Sequence, residues 1–367
     1  MRVAIDAREL CGRPTGVGRY LAGLLDAWST SAGAGRHQWT LYTHAAPAGH
    51  ERWRASLKII GGNGGTSWEQ FALPRALGAD RPDVLFAPGY TAPLTVASPV
   101  VVTIHDVSFF AHPEWFNVRE GIRRRFLTAW SARRARAVLT DTEFSKSEIT
   151  RHIGIDAKKV HAIPLGIAKP RQDALRTGPA AGAGGAMVLY VGSVFERRRV
   201  DRLIACFDQV IARVPHATLE IVGENRTRRP RIDLDRLRRQ SAHSDRITVR
   251  SYVDEATLTE LYRQASVFAF LSEYEGFGLT PLEALAEGVP PVVLDTAVAR
   301  ETCGDAARYV ADGATNAELA TAIADLLIDR TARQELLRHA GSVLARYDWT
   351  RTAAATLTVL EEAALGR

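Results

Sequence analysis

Glu275 and Glu283 stand either side of seven residues in the run Glu275-Gly276-Phe277-Gly278-Leu279-Thr280-Pro281-Leu282-Glu283, which follows the apolar stretch VFAFLS (267–272). A buried strand that runs through glycines into a helix suits phosphate. The unpaired amides and the positive end of the helix dipole favour an anion, and glycine lets the backbone come close. Thr280 reads as the N-cap of that helix and Pro281 as its first residue. Glu275 lies at the C-terminal edge of a strand, where open α/β sheets take ligands, and its carboxylate can accept hydrogen bonds from sugar hydroxyls. Glu283 admits a plainer role, because Thr280-x-x-Glu283 is also a capping box.

A second cluster, Gly192-Ser193 followed by Glu196-Arg197-Arg198-Arg199, sits after the strand-like run MVLYVG. A small-residue turn with cations beside it suits a diphosphate. The competing reading is a solvated arginine run at a helix start. In the first half, Asp6-Ala7-Arg8 and Thr15-Gly16-Val17-Gly18-Arg19 follow the first strand. This is not a dinucleotide fingerprint, since Leu21 holds the third glycine position. His105 and Asp106 end another strand, where a lone histidine is more often packed than ligating.

The elements that must position these residues alternate between short Val/Ile/Leu runs and longer helical periods, as parallel strands joined by crossover helices do. Strands are expected at 3–6, 39–43, 84–87, 100–104 and 137–140, then at 187–192, 218–223, 247–250, 267–272 and 291–295. Each half reads as a doubly wound, Rossmann-like unit. The expected division is a first domain over 1–168, a Gly/Pro-rich linker over 169–186, and a second domain over 187–347. The terminal helix, 348–367, is expected to return to the first domain. A helix over 318–327 is expected to open on a capping box made by Thr315 and Glu318.

A length of 367 residues suits two α/β domains, and 46% hydrophobic with 24% charged residues is ordinary globular composition. The net charge of +6 is carried mainly by arginine. Two runs concentrate it, Arg123–Arg125 with Arg133, Arg134 and Arg136, and Arg226, Arg228, Arg229 and Arg231 with Arg236, Arg238 and Arg239. They read first as solvated helix faces and second as attraction to an anionic membrane or phosphate. Neither lies in a nucleic-acid recognition motif, so no nucleic-acid partner is expected. Three dispersed cysteines give no disulfide framework and no metal cluster. A strand beginning at Arg2 leaves no room for a signal peptide, and no run of 18 apolar residues occurs. The expected location is cytoplasmic, with any membrane contact peripheral.

The paired glutamates, with EYEGFGLTPLEALAEGVPPVV around them, resemble the E-x7-E signature of glycosyltransferase family 4. VVTIHDVSFFAHPEWF, WEQFALP, DVLFAPGYTAPL, TDTEFSKSEI and SYVDEATLTELYRQA extend the resemblance along nearly the whole chain. It implies a GT-B fold, two Rossmann-like domains facing across a cleft, and a metal-independent, retaining enzyme with no cofactor beyond its nucleotide-sugar donor. It implies donor sugar contacts for Glu275 and His105, and ribose contacts for Glu283. Phe277, Gly278, Leu279 and Thr280, with Gly276 beside them, are implied to hold sugar and diphosphate through backbone amides. Arg197 and Arg198, after Gly192 and Ser193, would stabilise the leaving diphosphate. The family usually has Arg-Lys there, so Arg198 replaces a point charge with a planar fork. Val253 would pass beside the nucleobase, and Gly16, Gly18 and Asp106 would lie on the acceptor side. A hexose, mannose first, and a glycan or lipid-linked acceptor of a cell-surface polysaccharide pathway are the implied substrates. A GT-B epimerase or phosphorylase and a dinucleotide-dependent oxidoreductase are the alternatives.

Overall fold

The computed structural model describes residues 1–12, 16–168, 170–171, 186–227 and 231–366. The chain forms two units, Met1–Gly166 with Tyr347–Arg367, and Ile167–Arg346. Each is built on its own parallel sheet.

Unit 1 holds β1 (Arg2–Asp6), β2 (Gln38–Thr43), β3 (Ser56–Ile59), β4 (Val84–Ala87), β5 (Val100–Thr103), β6 (Ala137–Thr140) and β7 (Val160–Ala162), in the order β3-β2-β1-β4-β5-β6-β7. Unit 2 holds β8 (Met187–Val191), β9 (Thr218–Val222), β10 (Ile247–Arg250), β11 (Ala265–Phe270), β12 (Pro291–Leu294) and β13 (Arg308–Val310), in the order β10-β9-β8-β11-β12-β13. The order reverses beside β1 in one sheet and beside β8 in the other. These are the switch points where doubly wound sheets open a ligand crevice. Central strands β4, β5, β6, β8 and β12 are buried along their whole length, which is why their sequences are unbroken apolar runs.

Three strands, β3, β7 and β13, lie outside the sequence expectation. Each closes an edge of its sheet, and their segments SLKI, VHA and RYV are short and partly exposed. A strand covered on fewer sides needs no long apolar run, so the pattern that reveals a central strand is missing. The helix Asn316–Ile328 opens on the expected Thr315–Glu318 capping box. The proposed linker lies outside the described residues except for Pro170, Arg171 and Ala186, and Arg171 is anchored in unit 2 by its N–H to Ala286 O.

One expected boundary is wrong. The helix after the glycine loop is Leu279–Ala286, capped by Gly278 at φ 84°, with no side-chain cap. Thr280 is therefore its second residue and Pro281 its third. The left-handed glycine turns the chain two residues early, and proline is still tolerated because the first-turn amides have no partner inside the helix.

In unit 1 the C-terminal helix Trp349–Ala364 packs on Gly16–Thr30 and on β4, β5 and β6. Trp28 Nε1 donates to Ala353 O at 2.9 Å and Thr352 Oγ1 to Pro164 O at 2.7 Å. Trp349 fills the space above two glycines. A Cβ added to Gly23 or Gly166 would fall 2.5 or 2.3 Å from its indole carbons. Among the described residues no helix is long and apolar enough to cross a membrane.

Candidate active site

In unit 2 the tips of β8 and β11 carry two loops that are tied to each other. The loop after β8 turns at Gly192, whose φ of 144° is open only to glycine, and Gly223 presses against it so closely that a Cβ there would lie 1.8 Å from Gly192 O. The short helical turn Glu196–Arg198 follows, and its arginines are joined to Glu273–Glu275 beyond β11. Arg197 Nε donates to Tyr274 O at 3.2 Å, and Glu273 N–H to Arg197 O at 2.9 Å. Arg199 binds Glu273 and, at 2.9 Å, Asp312. Arg198 Nε donates to Glu275 Oε1 at 2.7 Å, and Nη1 to Ser193 O at 3.0 Å. The arginine run is thus tied to the loop beyond β11 rather than being a solvated helix start; the Arg198 side chain is 15% exposed.

Burial alone would raise the Glu275 carboxyl. The guanidinium groups of Arg198 and Arg197, with hydrogen bonds from Arg198 and Ser272, overcome this and hold its pKa below the ordinary glutamate value. Burial likewise opposes charge on Arg198, and Glu275 outweighs it, so the pair is ionised. Ser272 Oγ and Arg198 share Oε1, while Oε2 receives no hydrogen bond among the described residues. A charged carboxylate oxygen is therefore available to a hydroxyl donor. Beside that oxygen, Glu275, Phe277, Gly278, Ser272, Thr296 and Thr302 help line a small recess. At its rim the Leu279–Ala286 helix starts without a side-chain cap, and the Thr280 hydroxyl is buried with no partner among the described residues. Glu283, one turn along, accepts a 3.4 Å bond from Tyr262 OH rather than forming the capping box with Thr280. Val253 lies just past the end of β10, three residues after Arg250, and is partly buried.

Unit 1 gathers its own cluster at the tips of β1, β4, β5 and β6. His105 Nδ1 lies 2.8 Å from Asp141 Oδ2, and Nε2 lies 3.0 Å from Pro88 O. A carbonyl only accepts and a carboxylate accepts, so both nitrogens donate and the ring is an imidazolium. Burial would lower the His105 pKa, but the Asp141 charge and hydrogen bond outweigh it and the pKa is raised. Tyr20 and Tyr90 meet the ring edge-on at 5.0 and 5.6 Å. Both ring nitrogens are thus committed to the protein, and a ring contact with a donor sugar would have to replace one of these bonds. Asp106 is similarly engaged, accepting Tyr90 OH at 2.9 Å and Ser108 N–H at 2.8 Å. Gly16 begins the Gly16–Thr30 helix and Gly18 is buried in its first turn, while Thr15 lies outside the described residues.

Two groups escaped the sequence reading. Asp141, the partner of His105, sat unnoticed in TDTEFSKSEI, although a carboxylate closing the apolar strand AVLT was the available signal. Buried Glu69 accepts from Arg8 Nη2 at 2.5 Å and from Thr91 Oγ1 at 2.6 Å, and Arg8 also lies 3.3 Å from Asp6. Burial raises the Asp6 carboxyl to about 6 against the pull of Arg8.

Two parallel-sheet α/β units with paired loops at the switch point define the GT-B class. Solved structures share this fold over the whole chain. Sucrose-phosphate synthase from Thermosynechococcus elongatus superposes with a TM-score of 0.79 at 17% identity, covering 100% of both chains. Anabaena HepE, solved in complex with UDP and glucose, gives 0.74 at 18% identity, covering 99% of this chain and 100% of that one. Family models match in two consecutive blocks, Glycosyltransferase Family 4 over residues 14–169 and Glycosyl transferases group 1 over residues 172–342. The chain belongs to this glycosyltransferase family. Its relatives include a glycogen synthase of Mycobacterium tuberculosis, 27% identical over 93% of this chain and 79% of the relative. They also include the mannosylfructose-phosphate synthase of Agrobacterium fabrum, 30% identical over 48% of this chain and 41% of the relative. The O-antigen chain mannosyltransferase B of Escherichia coli is 29% identical over 56% of this chain and 55% of the relative.

Proposed function

We propose that this glycosyltransferase is a retaining, metal-independent hexosyltransferase that takes its sugar from a nucleoside diphosphate and gives it to a glycan or lipid-linked acceptor. The observation that carries the reading is the ionised Arg198–Glu275 pair, with one carboxylate oxygen open, beside the uncapped helix start at Leu279. The helix start and Arg198 suit the diphosphate, and Glu275 suits a sugar hydroxyl. Mannose is the first candidate, because two of the relatives above are named for mannosyl chemistry. Membership of the family sets aside the oxidoreductase alternative.

The bond from sugar C1 to the diphosphate oxygen breaks as the acceptor oxygen bonds to C1 from the same face. The acceptor proton passes to the departing phosphate oxygen. Negative charge grows on the diphosphate as the bond breaks, so cations and aligned amides stabilise the transition state more than the ground state. Glu275 orients both partners, holding Arg198 through Oε1 and the sugar through Oε2.

Incubation with UDP-, GDP- and dTDP-sugars, followed by NMR of the product anomer, tests the reading. One donor should give transfer with retained configuration, and Glu275→Ala and Arg198→Ala should each lower it by about 100-fold or more. Undiminished transfer by both variants, or an inverted product, would overturn it.

A further inference from the structure

The helix Val118–Arg134 in unit 1 turns an apolar stripe away from its own core. Val118, Ile122, Phe126 and Trp130 follow one another at every fourth position and are 75, 55, 56 and 47% exposed. Residues four apart lie on one helix face, so the four form a continuous strip. The buried residues of the helix are small or polar, Gly121, Thr128, Ala129, Ser131 and Ala132. A surface helix of a globular protein shows the reverse arrangement, with polar residues outward.

Arginines are interleaved with the strip. Arg119, Arg123, Arg133 and Arg134 are exposed among its apolar members. Arg119 and Arg134 have no partner among the described residues, whereas Arg123 donates to Thr66 Oγ1 and Arg133 to Ile153 O. The helix has a single carboxylate, Glu120, and it is paired with Arg124 at 2.9 Å.

We infer that this face docks on an anionic lipid surface. Apolar side chains, an interfacial tryptophan and guanidinium groups at one level match the boundary between acyl chains and phosphate headgroups. Arginine stems pack along the strip while their heads reach phosphate oxygens. A second copy of the chain is a poorer occupant. Two-fold pairing would set this arginine-rich face against itself with no free carboxylate to answer it. The surface stands independently of the transferase reading, so vesicle binding tests it alone.

The experiment is co-sedimentation of the full chain with phosphatidylcholine vesicles, with and without phosphatidylglycerol. The chain should bind the anionic vesicles, release them as salt rises, and ignore the neutral ones. Phe126→Ser with Trp130→Ser, and separately Arg119→Glu with Arg134→Glu, should each lower the bound fraction by at least about tenfold. Thermal unfolding of both variants should stay unchanged, since the replaced side chains face solvent. Equal binding to both vesicle types, absence of binding, or full binding by the variants would overturn the inference. Self-association of the wild type that the same substitutions abolish would reassign the face to a second copy.

Discussion

The chemistry of single residues turns on partners that lie far off in sequence. Arg198 and Glu275 are each less than one-sixth exposed on the side chain, so deleting one strands the other. Such a loss costs about 3 kcal/mol in buried pairs, and a double variant should be less destabilised than the two singles summed. Urea unfolding of the four proteins measures the coupling. His105 offers a pH signature. Its native pKa is raised, so the stability it contributes is complete below the unfolded value of about 6.5 and fades as pH climbs through the native one. Asp141→Asn should abolish that alkaline loss. A wild type and variant whose urea midpoints change in parallel as pH rises from about 6.5 would sink the imidazolium assignment. The types and spacing of Glu275, Glu283 and Gly278 were readable because they lie within one short stretch of chain. The ion pairs were not, because Arg198 meets Glu275 only after β8 and β11 become neighbours.

At the scale of elements, the central strands were legible for a physical reason. Burial on both faces demands an apolar residue at every position, as in VLFA of β4 and MVLYV of β8. Edge strands carry no such demand, and β3, β7 and β13 went unread. The helix start after β11 was misplaced because Thr280 and Pro281 fit N-cap statistics, while the chain used the left-handed freedom of Gly278 instead. Two glycines near this site make opposite predictions. Gly278→Ala meets only an ordinary contact with Thr302 Oγ1 at 4.0 Å and pays mainly for its positive φ, about 1–2 kcal/mol. Gly223→Ala forces a Cβ into Gly192 O and must move the β8 loop that carries Arg197 and Arg198. It should abolish donor binding even where the protein still folds. Titration of both variants with the active donor checks the contrast, and equal affinity would refute the close approach.

For the molecule as a whole, two sheets of seven and six strands give two cores, so ligand and denaturant can act on them unequally. The nucleoside diphosphate should stabilise the unit that holds Arg198. At about 100 times its dissociation constant, linkage predicts about 2.7 kcal/mol, or a rise of roughly 5–10 °C in that unit's unfolding temperature. Calorimetry with UDP and GDP measures it, and transitions that neither nucleotide moves would count against the site. The chain's two crossings between units have a further consequence. It leaves unit 1 after Gly166 and re-enters at Tyr347, and the indole of Trp349 lies against Gly166 itself. Departure and return thus share one spot, as they do in proteins that accept a guest domain in a surface loop. A short splice between these points should close the seven-stranded lobe into a protein of its own, and the six-stranded lobe becomes a cassette that can be exchanged for a relative's.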